Sequence, residues 1–232
     1  MTAETLYTSG QYLENNPTWH IEESPWKVRY LMPMLKRHHL VPNTICEVGC
    51  GAGEVLRLMQ MRMSEACTFW GYDISPQAID MCKERANERL HFKLADIRQE
   101  QDIFFDLILV LDVIEHLEDY FSFLRDLQSK SRYKLFLIPL EVSVQGVLRG
   151  NIFMRNRDIH GHLHYFNKET ALQTLEDVGY EILDYSYAPE WERYTTLIQT
   201  NLMKLPRKFF FALHNDWAVH ILGGSRLLIL AK

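Results

Sequence analysis

Glu47-Val48-Gly49-Cys50-Gly51-Ala52-Gly53 joins an apolar strand, about Thr44 to Gly49, to a helix that starts near Gly53. Glycines at alternate positions let the backbone turn tightly and approach a ligand, because no Cβ intervenes. The helix that follows presents free N–H groups and the positive end of its dipole. A turn of this kind holds a polar, nucleotide-like molecule. A dinucleotide fold asks for Gly-x-Gly-x-x-Gly, with the helix N-terminus facing a pyrophosphate. Counted from Gly49 the sixth position is Glu54, and counted from Gly51 it is Leu56. A carboxylate at that place repels a pyrophosphate.

Working outward, the following strands end in acids. Thr68 to Ile74 reads as a second strand with Asp73 near its end, 24 residues past Gly49. One carboxylate there can accept hydrogen bonds from both hydroxyls of a ribose. His91 to Ile97 reads as a third strand and closes on Ala95-Asp96-Ile97. A fourth, Phe105 to Val113, runs into Leu111-Asp112-Val113-Ile114-Glu115-His116-Leu117-Glu118-Asp119. Further on, Gly161-His162-Leu163-His164-Tyr165-Phe166-Asn167 precedes a helix.

The turn, acidic-Val-Gly-Cys-Gly-x-Gly, resembles the first motif of class I S-adenosylmethionine (SAM)-dependent methyltransferases. The 111–119 and 161–167 stretches resemble those of the small-molecule group of that family, and together the matches run from about residue 44 to 186. The resemblance implies an α/β, Rossmann-like sheet of seven strands in the order 3-2-1-4-5-7-6, only the last antiparallel, flanked by helices. It implies SAM as cofactor and S-adenosylhomocysteine as product. SAM carries no phosphate, so Glu54 does no harm. The implied cofactor site is Glu47, Gly49, Cys50, Gly51 and Gly53 of the turn, with Asp73 and Ile74. Asp96 and Ile97 join it on the adenine side, and Leu111, Asp112 and Val113 beside the methyl donor.

At 232 residues and 47% hydrophobic, the chain suffices for one α/β domain with a sizeable core. That single domain is read as an N-terminal extension (1–43), a cofactor-binding core (44–190), a helical insertion (191–222) and a last strand (223–232). The net charge of −5 argues against a protein built to coat nucleic acid. No apolar run reaches the ~18 residues of a membrane span, and no apolar signal segment is visible at the N-terminus. Cys46, Cys50, Cys67 and Cys82 form no Cys-x-x-Cys pair and fit reduced, buried thiols of a cytoplasmic protein. Zinc on Cys46 and Cys50 would need both thiols on one face, which the glycine turn makes awkward, and no metal is expected.

Residues 1–24 are polar and aromatic. Ser24-Pro25 reads as an N-cap and N1 pair opening an amphipathic segment with Trp26, Tyr30, Leu31, Met34 and Leu35 on one face. Pro33 would kink it. This region either packs on the sheet edge or closes the pocket as a flap, with Trp19, His20 or Arg29 facing the ligand; the resemblance favours a flap. Ser75-Pro76 is a second cap pair, and Tyr120, Phe123, Leu124 and Leu127 have helical spacing. Leu107 to Leu111 is the continuous apolar run of a parallel strand buried on both faces. The fifth strand, Tyr133 to Leu140, is expected to end at Pro139, which cannot donate to a ladder.

Residues 141–166 show no clear element. From Val142 to Arg157 there is no acid, but Arg149, Arg155 and Arg157 are present. Loops at the carboxyl ends of such strands line the ligand crevice. These arginines therefore bind a carboxylate or phosphate of the acceptor, or lie on a solvated loop. Asn167 caps a helix that ends near Gly179, and Tyr180 to Tyr187 is the sixth strand. The 191–222 stretch, rich in Phe, Leu and Trp, offers core packing, a homodimer surface or an amphipathic face for peripheral membrane contact. Gly223-Gly224 turns the chain into Ser225 to Ala231.

Methyl transfer from a sulfonium is an in-line displacement that needs mainly positioning, which contributes on the order of 7–11 kcal/mol. An oxygen or protonated amine must also lose a proton, and a histidine with pKa near 6.5 is a suitable base. His116 is the first candidate and His162 the second. His20, His160 and His164 join Trp19 and the three arginines as candidate acceptor contacts. The reading is SAM-dependent methylation of a small or lipid-linked anionic acceptor. The alternatives are a SAM-binding protein without catalysis, and an NAD-dependent oxidoreductase opposed by Glu54 and the 112–119 motif.

Overall fold

Apolar runs long enough to be buried on both faces form the centre of a sheet, and the segments between them wrap it. The computed structural model describes residues 3–193 and 204–232. Helices α1 (Ala3–Thr8), α2 (Gln11–Asn15) and α3 (Ser24–Arg37) precede β1 (Thr44–Val48). Then come α4 (Glu54–Gln60), β2 (Thr68–Asp73), α5 (Pro76–Cys82), β3 (Leu90–Leu94) and β4 (Phe105–Leu111). After α6 (Tyr120–Gln128) and β5 (Ser131–Leu140) lie α7 (Val144–Arg149), α8 (Ile152–His160) and α9 (Lys168–Asp177). The chain closes with β6 (Ile182–Pro189), α10 (Lys204–Leu213), α11 (Asn215–Leu222) and β7 (Ser225–Ala231).

The seven strands form one sheet in the order β3-β2-β1-β4-β5-β7-β6. All neighbours are parallel except β7, which is antiparallel to both β5 and β6. Successive residues of the central strands feed opposite cores. Ile108, Val110 and Phe136 face one cluster with Leu124 of α6 and Leu175 of α9. Leu107, Leu109 and Leu135 face the other with Leu31 of α3 and Leu56 of α4. Both clusters are fully buried, so the central strands are read correctly as two-faced.

Several boundaries differ from the sequence expectation for physical reasons. The fourth strand stops at Leu111, because Asp112 takes a left-handed conformation at φ 56°. Pro139 does not end the fifth strand: it sits opposite Arg226, and pairing continues through Leu140. The sixth strand starts at Ile182, since Tyr180 turns inward to donate to the Leu124 carbonyl at 2.7 Å. Ser24 is the first helical residue rather than the cap, because the short turn Ile21–Glu23 runs straight into α3. Pro33 lies inside α3, which continues to Arg37. The 141–166 stretch contains two helices that its pattern conceals. Helix α8 buries none of its residues, so it has no apolar stripe for a periodicity to reveal. Of the 191–222 insertion, residues 194–203 lie outside the described residues, and the remainder includes α10 and α11.

Candidate active site

The glycine turn is held by sterics and by one carboxylate. Gly49, Gly51 and Gly53 all take positive φ, at 67°, 53° and 75°. A Cβ on Gly49 would lie 2.9 Å from Val113, and one on Gly51 would lie 2.6 Å from the Trp19 ring. Asp73, buried at the end of β2, accepts from the Gly51 amide through Oδ2 and from the Ser75 amide through Oδ1, both at 2.8 Å. Burial lifts its pKa to about 6 despite those bonds. Glu47 lies beneath the turn, and burial pushes it up to about 8 although Lys27 works against the rise. Its Oε2 has no hydrogen-bond partner and faces a cavity of about 500 Å³. A buried carboxylate without a partner is a seat for a cation or a proton.

The N-terminal extension closes over this cavity. Tyr7 of α1 donates to the His160 carbonyl at 3.1 Å, and Asn16 donates to the Ile159 carbonyl at 3.4 Å. Gln77 of α5 donates to the Thr8 carbonyl at 3.5 Å on the other side. Trp19 and His20, both at positive φ, bring their side chains to the cavity wall. The segment lies over the cavity, and Arg29 is not on it: it pairs with Glu192 at 3.3 Å.

A buried ion network forms one wall. Asp112 pairs with Lys27 at 2.7 Å and with Arg226 at 2.5 Å. Arg226 also meets Glu190 at 2.9 Å and Glu23 at 3.4 Å, and Arg193 meets Glu23 at 3.0 Å. Although burial alone would raise it, the two cations hold the Asp112 carboxyl well below the usual carboxylate range. Arg226 lies over the Trp26 ring, 5.3 Å from its centroid.

The same cavity is lined by histidines and carboxylates. The His116 and His162 rings are 4.8 Å apart, and His162 Nδ1 lies 3.0 Å from Glu141 Oε2. Burial, then the neighbouring His162, pushes His116 down to about 3. Burial lowers His162 as well, but Glu141 and Glu115 outweigh it and the net shift is upward. Both Glu115 oxygens are buried without a hydrogen-bond partner, His116 Nε2 lying 3.8 Å from Oε1, and burial lifts this carboxyl to about 8. Glu115, His116 and His162 bring potential ligand atoms within 4.8 Å of one another. Arg149 and Arg155 line the cavity nearby, as does Arg207. Arg207 Nε is buried with no acceptor, and burial plus the charge of Arg149 lower its pKa.

A family model described as a methyltransferase domain matches residues 19–185. The chain belongs to the methyltransferase-domain family. Solved structures with the same fold include the plantazolicin methyltransferase BpumL in complex with S-adenosylhomocysteine, at 15% identity and a TM-score of 0.65, covering 99% of this chain and 93% of that one. Magnesium protoporphyrin IX methyltransferase (ChlM) from Synechocystis PCC 6803 matches at 15% identity and a TM-score of 0.60, over 92% of this chain and 84% of that one. The N-methyltransferase NodS from Bradyrhizobium japonicum WM9 matches at 17% identity and 0.56, over 92% and 90%. The sheet of this methyltransferase is therefore that of class I.

Measured against the expectations, the cavity of this methyltransferase gathers Glu47, Gly49, Cys50, Gly51, Leu111, Asp112, His116 and His162. Of the expected acceptor contacts it gathers Trp19, His20, Arg149, Arg155 and His160. Others stand elsewhere. Asp96 caps the turn after β3 and is gripped by Arg98 at 2.6 Å. Ile74 is exposed and Ile97 is buried in the core. Gly53 packs on Phe92, and Val113 supports Gly49 from behind. His164 faces the Leu117 carbonyl at 2.9 Å and the Tyr120 ring, away from the cavity, and Arg157 is exposed. The sequence reading missed Lys27, Glu141, Arg207 and Arg226. A lone arginine inside the apolar run Ser225–Ala231 was the available signal for the last of these.

Proposed function

We propose that this chain transfers the methyl group of SAM to a small or lipid-linked anionic acceptor. The observation that carries the reading is one cavity lined both by a glycine turn with an unpartnered acid and by arginines with a histidine–carboxylate pair. Glu47 takes the α-ammonium of SAM, whose positive charge supplies its missing partner. Asp73 keeps one acceptor direction on each oxygen for the ribose hydroxyls. Leu111, Asp112 and Val113 hold the strand end beside the sulfonium, whereas Asp96, taken by Arg98, and Ile97, buried in the core, are not assigned to the adenine. Arg149, Arg155 and Arg207 hold the acceptor's negative group.

In the reaction a lone pair on the acceptor forms a bond to the methyl carbon as the carbon–sulfur bond breaks. The bonding pair goes to sulfur, leaving neutral S-adenosylhomocysteine. The acceptor's proton passes to His162, which Glu141 makes the stronger base of the two histidines. His116, pushed down to about 3, holds a proton weakly and serves to position its neighbour. Calorimetry with SAM and with NAD tests the cofactor. Saturable binding of SAM is expected; NAD binding without a response to SAM would overturn the reading. A labelled-methyl screen of cell extract then separates catalysis from binding alone.

A further inference from the structure

Ten of the sixteen exposed large apolar side chains among the described residues fall within residues 144–154 and 205–221, so they gather rather than scatter. On α7 they are Val144, Val147 and Leu148, at i, i+3 and i+4. On α10, Leu205, Phe209 and Leu213 follow at i, i+4 and i+8, and on α11 Trp217 and Ile221 are four apart. Each helix thus carries an apolar stripe on its solvent side. A helix packed on a core normally carries its stripe inward. Packing is already met by other residues: Phe211 lies against Trp191 and Tyr187, and Ala218 and Val219 are buried. The outward stripes are surplus to the fold. Leu148 is 82% exposed and Leu205 77%.

The three helices form one face. Helix α10 packs on α11 and α11 on α7, and Arg207 of α10 donates to Gln145 of α7 at 3.2 Å. Charge on this face runs opposite to that of the whole chain. Across α7, α10 and α11 the one acid among the described residues is Asp216, paired with Lys168 at 2.8 Å, against Arg149, Lys204, Arg207 and Lys208, in a protein of net charge −5. Helices α7, α10 and α11 also supply Arg149, Arg207 and Leu222 to the cavity wall. No helix among the described residues is long and apolar enough to cross a membrane.

We propose that α7, α10 and α11 dock on an anionic lipid surface, and that the acceptor enters the cavity from that surface. The second clause rests on the methyltransferase reading; the first does not. Apolar stripes flanked by lysine and arginine are what an interfacial helix presents to headgroups and acyl chains. A second copy of this chain fits less well. A twofold contact sets this face against itself, and Arg149, Lys204 and Lys208 would then meet a surface of the same sign.

Flotation of the full-length chain with vesicles tests this. Vesicles of phosphatidylglycerol and phosphatidylethanolamine should carry the protein, phosphatidylcholine vesicles far less, and added salt should weaken the association. The double substitution Phe209→Ser/Phe210→Ser should cut partitioning at least about tenfold, since each phenylalanine loses its apolar transfer. Lys208→Glu should cut it by a smaller factor. None of these three residues lines the cavity, so calorimetric SAM affinity should stay at the wild-type value and the melting temperature should hold. Absence of flotation with anionic vesicles, or flotation indifferent to both variants, overturns the proposal. So does a lipid-free dimer in sedimentation velocity that the phenylalanine variant dissolves. Loss of SAM binding in the wild type would sink the methyltransferase reading while leaving the docking result intact.

Discussion

The proposed cofactor end of the cavity and its proposed acceptor end are built in different ways. The cofactor end is backbone: three glycines at positive φ, one carboxylate stitching their turn, and the first turn of α4. The acceptor end is side chains from distant places: His116 after β4, Glu141 after β5, His162 after α8 and Arg207 on α10. A backbone site needs particular residues at consecutive positions, which a sequence displays. A side-chain site needs only that chemistry converge in space, and spacing along the chain records little of it. Substitutions at the acceptor end should therefore change turnover with cofactor affinity intact, and those at the cofactor end should do the reverse.

The largest effect is expected at His162. His162→Ala should lower kcat by about 10²–10⁴, the usual contribution of a general base, with SAM affinity unchanged. Because Glu141 outweighs burial and raises the His162 pKa, the wild-type rate should fall as pH drops through a value above 6.5. A rate that stays flat down to pH 5 would instead fit His116, which burial pushes down to about 3. Single-turnover rates across pH, together with calorimetry on the same variants, separate the two.

At the cofactor end, Asp73→Ala should weaken SAM by about 1.5–3 kcal/mol, roughly ten- to over a hundredfold. Part of that loss comes from the turn itself, since Asp73 accepts from the Gly51 amide. Asp73→Asn keeps an acceptor for that amide and should recover part of the affinity. If Asp73→Ala binds SAM like wild type, the backbone alone holds the cofactor and the contrast between the two ends sharpens further.

How far the sequence reached follows the same division. The Ser75 cap, the Asn167 capping box and the last strand Ser225–Ala231 stand where local rules put them. These are short-range signals, each complete within a few residues. Lys27 and Arg226 escaped because a cation in an apolar helix or strand reads locally as an interruption; only Asp112, brought between them by the sheet, gives them a role. Glu141 and Asn156, which hydrogen-bond to each other, lie in the stretch that showed no period. Asp96 was read as free to meet an adenine, but Arg98, two residues on, takes both its oxygens. An i, i+2 pair across a turn is as local as a cap. It was legible and went unread.

The arginines give a graded test. Arg149→Ala and Arg155→Ala should each raise the acceptor KM roughly fivefold, the ~1 kcal/mol upper range of a solvent-accessible charged contact. Arg157→Ala should change nothing, because its side chain is exposed and off the cavity. A KM unchanged from wild type in all three variants would return the loop to a solvated surface.

The smallest effect concerns how the acceptor end is fastened to the sheet. His220 of α11 contacts the Asp216 carbonyl at 2.7 Å through Nδ1 and Glu169 of α9 at 2.9 Å through Nε2. The Glu169 contact raises its pKa above the ordinary 6.5, with burial opposing. The folded state therefore holds a proton that the unfolded chain releases once pH exceeds 6.5, and in that window stability falls as pH rises. The contribution is fully present below pH 6.5 and lost as pH climbs through the higher folded value. The His220 side chain is 39% exposed, so solvent screening limits it to about 0.5 kcal/mol. His220→Ala should accordingly destabilise the protein by about that much at pH 6 and by nearly nothing at pH 9, measured by urea unfolding at both. A difference of the same size at both pH values would assign the loss to packing rather than to the charged bridge. Helix α11 would then be held by its apolar contacts and by Asp216, which accepts from Lys168 of α9 at 2.8 Å and from Tyr187 of β6.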